Sequence, residues 1–421
     1  MRPYNLEKIL TFAHQMNETM QKVYITGTGI ISAIGTDGSG VLDSLVNSRH
    51  GIGPITHTET IHKGIFPVGE VKLSNEELRT LAGIPVNSRK IYTRTTLLGL
   101  IAAREALMQS GVDPGKLRTG FISATSVGGM DRSEGFIESY FENPASGHLR
   151  EVIAHDCGES TEVIGETLGA TRILSTISTA CSSSVNSLMY AAKLIQSGML
   201  DCAIAGGTDC ITRFTLNGFN TLMILDKNHC RPFDDSRSGL NLGEGAGYVV
   251  LESERSVRAR NATPLAVLAG YANANDAFHQ TASSPEGFGA TLAMKQALAM
   301  SGLNPEDISY INVHGTGTQN NDLSEGVAMK NIFGEHIPPF SSTKPFTGHT
   351  LGAAGGIESV LSILSLQHGL IYPNMNFTTP MNELGLIPVT SLKKGADIKH
   401  VLSNSFGFGG NNSTVVFSKP I

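Results

Sequence analysis

The chain has 421 residues and a formal net charge of −6, so its electrostatics do not favour a polyanionic partner and nucleic acid is not expected. No apolar run reaches membrane-spanning length, and the stretch from Met1 to His14 lacks the apolar core of a secretion signal. Five cysteines, at positions 157, 181, 202, 210 and 230, are scattered without a Cys-x-x-Cys pair, which argues against disulfide scaffolds and thiolate zinc sites and for a reducing cytoplasm.

In chain order, residues 1–21 form an N-terminal extension to which no function is assigned, with Met20 an equally good start. Strand patterns follow at 22–32, 120–125, 172–177, 202–207 and 246–252, then at 265–273, 309–313, 338–342, 399–404 and 413–418. Helical patterns alternate with them, which predicts an α/β fold with buried, largely parallel sheets and helices on their faces. An offset of 191 positions lays Ile101–Pro114 on Leu292–Pro305, each helix stopping at Ser-Gly with Pro three residues beyond. The chain is therefore read as two pseudo-equivalent halves, 22–264 and 265–421. Residues 35–95, 128–165 and 211–240 have no counterparts of similar length and are expected to decorate the core and shape an entrance.

Cys181 falls between the β-branched run ending at Ile177 and a helix whose apolar positions Val185, Leu188, Met189, Ala192 and Ile195 recur at buried-face spacing. At such a turn, helix N–H groups favour thiolate and are expected to lower the thiol pKa toward neutrality. A small buried hydrophobe is the plainer reading of a lone cysteine. In the second half, His314 and His349 occupy glycine-rich turns after strands, where backbone can approach a ligand closely. Asn404-Ser-Phe-Gly-Phe-Gly-Gly-Asn-Asn412 offers an oxyanion donor flanked by Phe406 or Phe408, or simply a hairpin. Gly27-Thr-Gly29 lacks the third glycine of a dinucleotide fingerprint and no helical pattern opens directly after it, so nicotinamide binding is not expected; Gly243-Glu-Gly-Ala-Gly247 enters a strand rather than a helix and is read as a turn packed close to backbone.

In this order, Thr-Ala-Cys-Ser-Ser-Ser, His-Gly-Thr-Gly-Thr, Lys-x-x-x-Gly-His and Asn-Ser-Phe-Gly-Phe-Gly-Gly resemble the β-ketoacyl-ACP synthases, from about Val23 to the C-terminus. Arg231-Pro-Phe-Asp-Asp-Ser-Arg237 and Gly243–Glu252 extend the likeness. The resemblance implies a thiolase-like fold in αβαβα layers and decarboxylative condensation of an acyl group on Cys181 with malonyl carrier protein. It implies oxyanion donation by the Cys181 and Phe408 N–H groups, gating by Phe406 and Phe408, and decarboxylation assisted by His314 and His349. It further implies that Lys344 orders the site with Glu358, that Thr316 and Thr318 bind the phosphopantetheine arm, and that Asp322 and Glu325 hold their loop. No metal or redox cofactor is implied for the chemistry, although Asn312, Glu358, Ser403 and Asn404 match a structural monovalent-cation site in some relatives.

The implied partners are acyl carrier protein and a second copy of the chain. Departures from the family pattern bear on specificity: Asn220-Thr-Leu-Met-Ile224 lacks the usual basic residue, leaving Arg213 or Lys227 for carrier docking, and Arg237-Ser-Gly-Leu240 replaces Arg-Asp-Gly-Phe. The resemblance implies fatty-acid or polyketide/polyene chain elongation, and these departures point to a specialised acyl chain, for example a polyene or aryl-primed one. A thiolase needs a late second cysteine and a primer-type synthase needs Asn where His349 stands. The remaining alternative, a silent chain-length partner, usually lacks the nucleophile.

Overall fold

The computed structural model describes residues 21–88 and 90–420. Ten strands are present: β1 (Val23–Ser32), β2 (Thr119–Ala124), β3 (Leu174–Ile177), β4 (Cys202–Asp209), β5 (Gly245–Ser253), β6 (Ala266–Asn275), β7 (Tyr310–Asn312), β8 (Phe340–Ser341), β9 (His400–Gly407) and β10 (Asn411–Ser418). They lie in the order β3-β2-β4-β5-β1-β6-β10-β9-β7-β8. The second five strands repeat the arrangement of the first, and the two sets meet where β1 pairs β6, at Tyr24–Val267 and Ile25–Ala266.

The sheet is mixed, not largely parallel. In the first set β1·β5 and β5·β4 are antiparallel, whereas β4·β2 and β2·β3 are parallel. The second set repeats this, and β9 returns to β10 through Phe408–Gly410, a connection too short for a parallel crossover. Apolar periodicity reports burial but carries no strand direction.

Five long helices complete the layers: α1 (Arg94–Ser110), α2 (Ser183–Gln196), α3 (Phe288–Ser301), α4 (Gln319–Phe333) and α5 (Ala354–His368). Helices α2 and α5 touch strands of both sets and form the middle layer, while α1 covers the first set and α3 the second. Val185, Leu188, Ala192 and Ile195 of α2 share one apolar core with Ile357, Val360 and Leu364 of α5. The outer layers close over two further cores, one under α1 and one under α3 and α4. Helices α1 and α3 end at Gly111 and Gly302, both left-handed, as their Ser-Gly endings predict.

The repeat reaches backbone detail. Register skips Thr26 in β1 and Ala269 in β6. A Cβ on Gly27 would overlap Ala106 O, and one on Gly270 would overlap Ala297 O, the matching position of the other helix. Gly29 likewise packs on Ala102 O, so the dinucleotide-like Gly27-Thr-Gly29 is a strand-to-helix contact. Gly243, Gly245 and Gly247 each abut backbone in the same way, at Thr347, Ile31 and Gly356.

Candidate active site

Cys181 follows β3 by a short turn and precedes the first residue of α2 by two positions. Ala180 before it has φ +53°, a strained conformation for an L-residue. The turn is held by Ser183 Oγ, which donates to Ala180 O at 2.5 Å and accepts from Thr179 N–H at 2.8 Å. The thiol lies beside residues that follow strands of the second set.

There it meets two histidines. His314 follows β7 and His349 follows the short helix Lys344–Thr347. Their rings stand nearly perpendicular with centroids 5.3 Å apart, and the Cys181 Sγ and one nitrogen of each ring all lie within 4.8 Å of one another. All three side chains are buried.

Hydrogen bonds define the tautomers. His349 Nδ1 accepts the Leu351 N–H at 3.1 Å, so the neutral ring carries its proton on Nε2. His314 Nδ1 lies 3.2 Å from Lys344 Nζ, an ammonium with nothing to offer but N–H, and its proton too belongs on Nε2. Burial and the Lys344 charge hold both imidazoles well below the ordinary 6.5, with each ring neutral at physiological pH. Two neutral imidazoles therefore converge beside the sulfur.

Lys344 is 1 % exposed and lies behind His314. Its ammonium donates to the His314 carbonyl at 2.6 Å and pairs with Glu358 Oε1 at 2.5 Å. The loop after His314 is fastened by carboxylates: Glu325 accepts the His314 and Gly315 N–H groups at 2.9 and 2.8 Å, and Asp322 accepts those of Thr316 and Gly317. Burial outweighs these donors at Glu325, pushing its pKa up to about 7.

The expected acidic thiol is not found. Cys181 is pushed up to about 11 by burial, against which the Lys344 charge and the N–H groups of Phe408 and Cys181 itself act more weakly. Helix position alone does not report depth, and depth decides the sign here. The same two N–H groups approach the sulfur from the turn after β3 and from the Phe408–Gly410 connection, so they are the available donors for an oxyanion formed on it.

A cavity of about 460 Å³ leads to this cluster. Thr316, Thr318, Asn320 and Ser283 supply a polar wall, and Phe219, Ile224, Leu240 and Phe406 an apolar one. Lys344, Glu358, Asp322 and Glu325 stand outside it as supports. Thr316 and Thr318 hydroxyls lie 2.8 Å apart. Phe408 stacks on Phe219 with centroids 5.8 Å apart, and Phe406 leans on His314 at 6.0 Å.

Phe219 was given no role by any motif. It sits on the helix Arg213–Thr221, in an insertion with no repeat partner, and a lone aromatic there carries no spacing signal. Arg213, considered for carrier docking, is instead committed to Glu138 at 2.9 Å and Glu134 at 3.6 Å. Lys227 lines a separate cleft of about 620 Å³ with His229 and Arg231.

Two family models match: beta-ketoacyl synthase, N-terminal domain, over residues 20–256, and beta-ketoacyl synthase, C-terminal domain, over residues 265–378. The chain belongs to the beta-ketoacyl synthase family. This synthase is 36 % identical over 414 residues to 3-oxoacyl-(acyl-carrier-protein) synthase 2 of Staphylococcus aureus, covering 95 % of this chain and 98 % of that protein. Among solved structures it is similar to the ishigamide ketosynthase/chain length factor, with a TM-score of 0.88 and 29 % identity over 96 % of this chain and 100 % of that one. It also resembles the AntDE:AntF assembly, a type II polyketide acyl-carrier protein in complex with its ketosynthase, with a TM-score of 0.84 and 25 % identity over 96 % of this chain and 100 % of that one.

Proposed function

We propose that this synthase condenses an acyl group held on Cys181 with malonyl-acyl-carrier protein, giving 3-oxoacyl carrier protein and carbon dioxide. The observation that carries the reading is the convergence of one thiol, one nitrogen of each of two neutral imidazoles and two backbone N–H donors at the end of a single cavity.

In the first half-reaction the Cys181 sulfur attacks the carrier thioester carbonyl, and the N–H groups of Cys181 and Phe408 receive the oxyanion. The carbon–sulfur bond to the carrier breaks, and the Cys181 proton leaves with the carrier thiol. In the second, the malonyl carboxylate departs as carbon dioxide while its electron pair forms the enolate of the carrier thioester. His314 and His349 donate to that oxygen. The enolate carbon attacks the acyl-Cys181 carbonyl, the carbon–sulfur bond breaks, and the thiolate takes a proton from solvent.

The hydroxyls of Thr316 and Thr318 suit the amide-rich phosphopantetheine arm, and the Phe219–Phe408 stack, with Phe406 inside it, suits a gate. The condensation serves fatty-acid or polyketide/polyene chain elongation, and the Asn220–Ile224 and Arg237–Leu240 departures favour a specialised acyl chain, such as a polyene or aryl-primed one. Lys227 is the docking residue we favour for an acidic carrier.

A homodimer is supported by β3, an edge strand half-exposed along its length, and by the apolar Ile137, Phe141, Leu149 and Ile153, exposed on the helices 130–142 and 150–153 and between them. The alternative of a silent chain-length partner gives no account of a nucleophile already provided with oxyanion donors. No described helix is long and apolar enough to cross a membrane. The five free cysteines suit a reducing cytoplasm.

Cys181, His314 and His349 have ligand chemistry for zinc. The Lys344 ammonium, which already acts on all three, opposes adding a dication there. A structural monovalent cation fits better elsewhere: Glu358 Oε2 and Ser403 Oγ are buried without partners, whereas the unpartnered Nδ2 of Asn312, the register partner of Ser403, is a donor and would not ligate a cation. Asn404 fits less well, its amide being engaged by Glu325 and Thr414. Such an ion would offset the Glu358 charge.

Incubation with acyl carrier protein should leave an acyl group on the peptide containing Cys181, read by mass spectrometry. A folded protein that gains no adduct overturns the reading.

A further inference from the structure

We propose that Asp209, at the end of β4 and outside every motif described above, is a positioning residue for His349. The inference rests on the synthase reading for its catalytic meaning, but on geometry for its substance.

The Asp209 carboxylate is fully buried and accepts from both sides. Oδ1 takes the Thr125 hydroxyl at 2.5 Å and the Val127 N–H at 3.1 Å, and Oδ2 takes the Ser126 hydroxyl and the Gly352 N–H, each at 2.7 Å. It thereby ties the turn after β2 to the turn after His349. That second turn needs holding, because Leu351 has φ +53°. Its N–H is the donor that fixes His349 with the proton on Nε2. Gly352 has no slack, since a Cβ there would stand 2.8 Å from Asp209 Oδ2. The His349 backbone is gripped from the other side, its N–H by Asn241 O at 2.7 Å and its carbonyl by Gly243 N–H at 2.9 Å. Asp209 supplies the remaining constraint.

Asp209 forms no ion pair with a cation among the described residues; N–H and O–H donors alone satisfy it. The titratable groups that feel its charge are Cys157, Cys181 and Tyr248, each raised chiefly by burial and further by this carboxylate. Asp209 lines no part of the 460 Å³ cavity, so it acts through the turn and the field rather than by touching substrate.

Asp209→Asn tests this, because both oxygens accept backbone N–H and an amide must turn its NH₂ on one of them. The expected result is a fall of about tenfold or more in kcat for decarboxylation of malonyl carrier, with KM within twofold of the parent. Removing the charge should simultaneously move iodoacetamide alkylation of Cys181 to lower pH, making the thiol more reactive while the enzyme becomes slower. A general packing defect would slow both. Ser126→Ala, which removes one Oδ2 donor and leaves the charge, should lower kcat with the alkylation profile in place, and it carries the test if the Asn variant does not fold. Unchanged kcat in folded variants, a loss confined to KM, or an unmoved alkylation profile in Asp209→Asn overturns the proposal. Alkylation needs no carrier, so a parent protein unable to decarboxylate malonyl carrier would fail the synthase reading separately.

Discussion

Gly407 leaves little room for a side chain against Cys181: a Cβ there would lie 3.0 Å from Thr179 O, 3.1 Å from Cys181 N and 3.2 Å from Ser182 N. Its φ of −110° and ψ of 156° suit any residue, so the glycine is required by the neighbour and not by the backbone. Close approach of these two segments is what points the Phe408 N–H at the sulfur. Gly407→Ala should push the hairpin away and lower the single-turnover rate of Cys181 acylation by about a hundredfold, the usual cost of one oxyanion donor. Rapid-quench acylation with an acyl carrier checks this; a parental rate would remove Phe408 from the oxyanion site.

The histidines make a separable prediction. His349→Ala should spare acylation of Cys181 more than decarboxylation of malonyl carrier, since only the enolate oxygen needs its Nε2–H. Equal loss in both half-reactions contradicts that assignment. The pH response follows from the lowered pKa of both rings. They act as neutral donors, and neutrality persists as pH falls through 6.5, where an ordinary histidine would charge. Decarboxylation in the parent enzyme should therefore stay flat from about pH 8 to about pH 6, and a titration near 6.5 would show that the rings are not held neutral. Folding stability responds with the opposite emphasis: the unfolded chain binds protons here that the native rings refuse, so stability should drop as pH falls below the ordinary value.

Lys344 and Glu358 act as a unit. Lys344→Met removes the charge that opposes the burial shift at Cys181, so the thiol should rise beyond about 11 and alkylation at fixed pH should slow. It also leaves a buried carboxylate without its cation, a change that typically costs about 3–5 kcal/mol. Adding Glu358→Gln should recover much of that stability and none of the alkylation rate. Chemical denaturation and iodoacetamide kinetics on the two single variants and the double variant separate the effects. Recovery of both together would mean that the pair is purely structural.

Legibility in the sequence tracked how local each feature is. All ten strands were placed within a few residues because burial writes itself into β-branched runs, and the Ser-Gly stops of α1 and α3 exposed the repeat. Direction was lost, since the pairing of β4 with β5 is a matter of chain return and not of periodicity. Cys181, His314 and His349 stood out because each follows a strand in a run of small residues, and the structure brings them together. The sign of the thiol shift was not legible, because it depends on how deeply folding buries the sulfur. Asp209 left no trace, and Phe219 marked a family position in Asn217-Gly-Phe219 without revealing a role: one ends an ordinary strand, the other sits on an unrepeated helix, and only tertiary packing gives either a partner.

The repeat supplies the most direct stability test. Gly27 and Gly270 occupy matching places in β1 and β6, each beside the residue skipped in register and each against a helix carbonyl, Ala106 O or Ala297 O. Neither has a left-handed φ, so alanine is denied by the helix alone. Backbone cannot rotate aside as a side chain can, and α1 and α3 would have to lift from their sheets. Gly27→Ala and Gly270→Ala should each destabilise the fold by about 1–3 kcal/mol, the range for overpacking a tight contact. Differential scanning calorimetry reads the loss. Gly27→Ala carries a second consequence: if Gly27-Thr-Gly29 held a dinucleotide, the parent would be stabilised by added NAD and the variant would not. The packing account expects no such shift in either protein, and a nucleotide-dependent rise in the parent would overturn it.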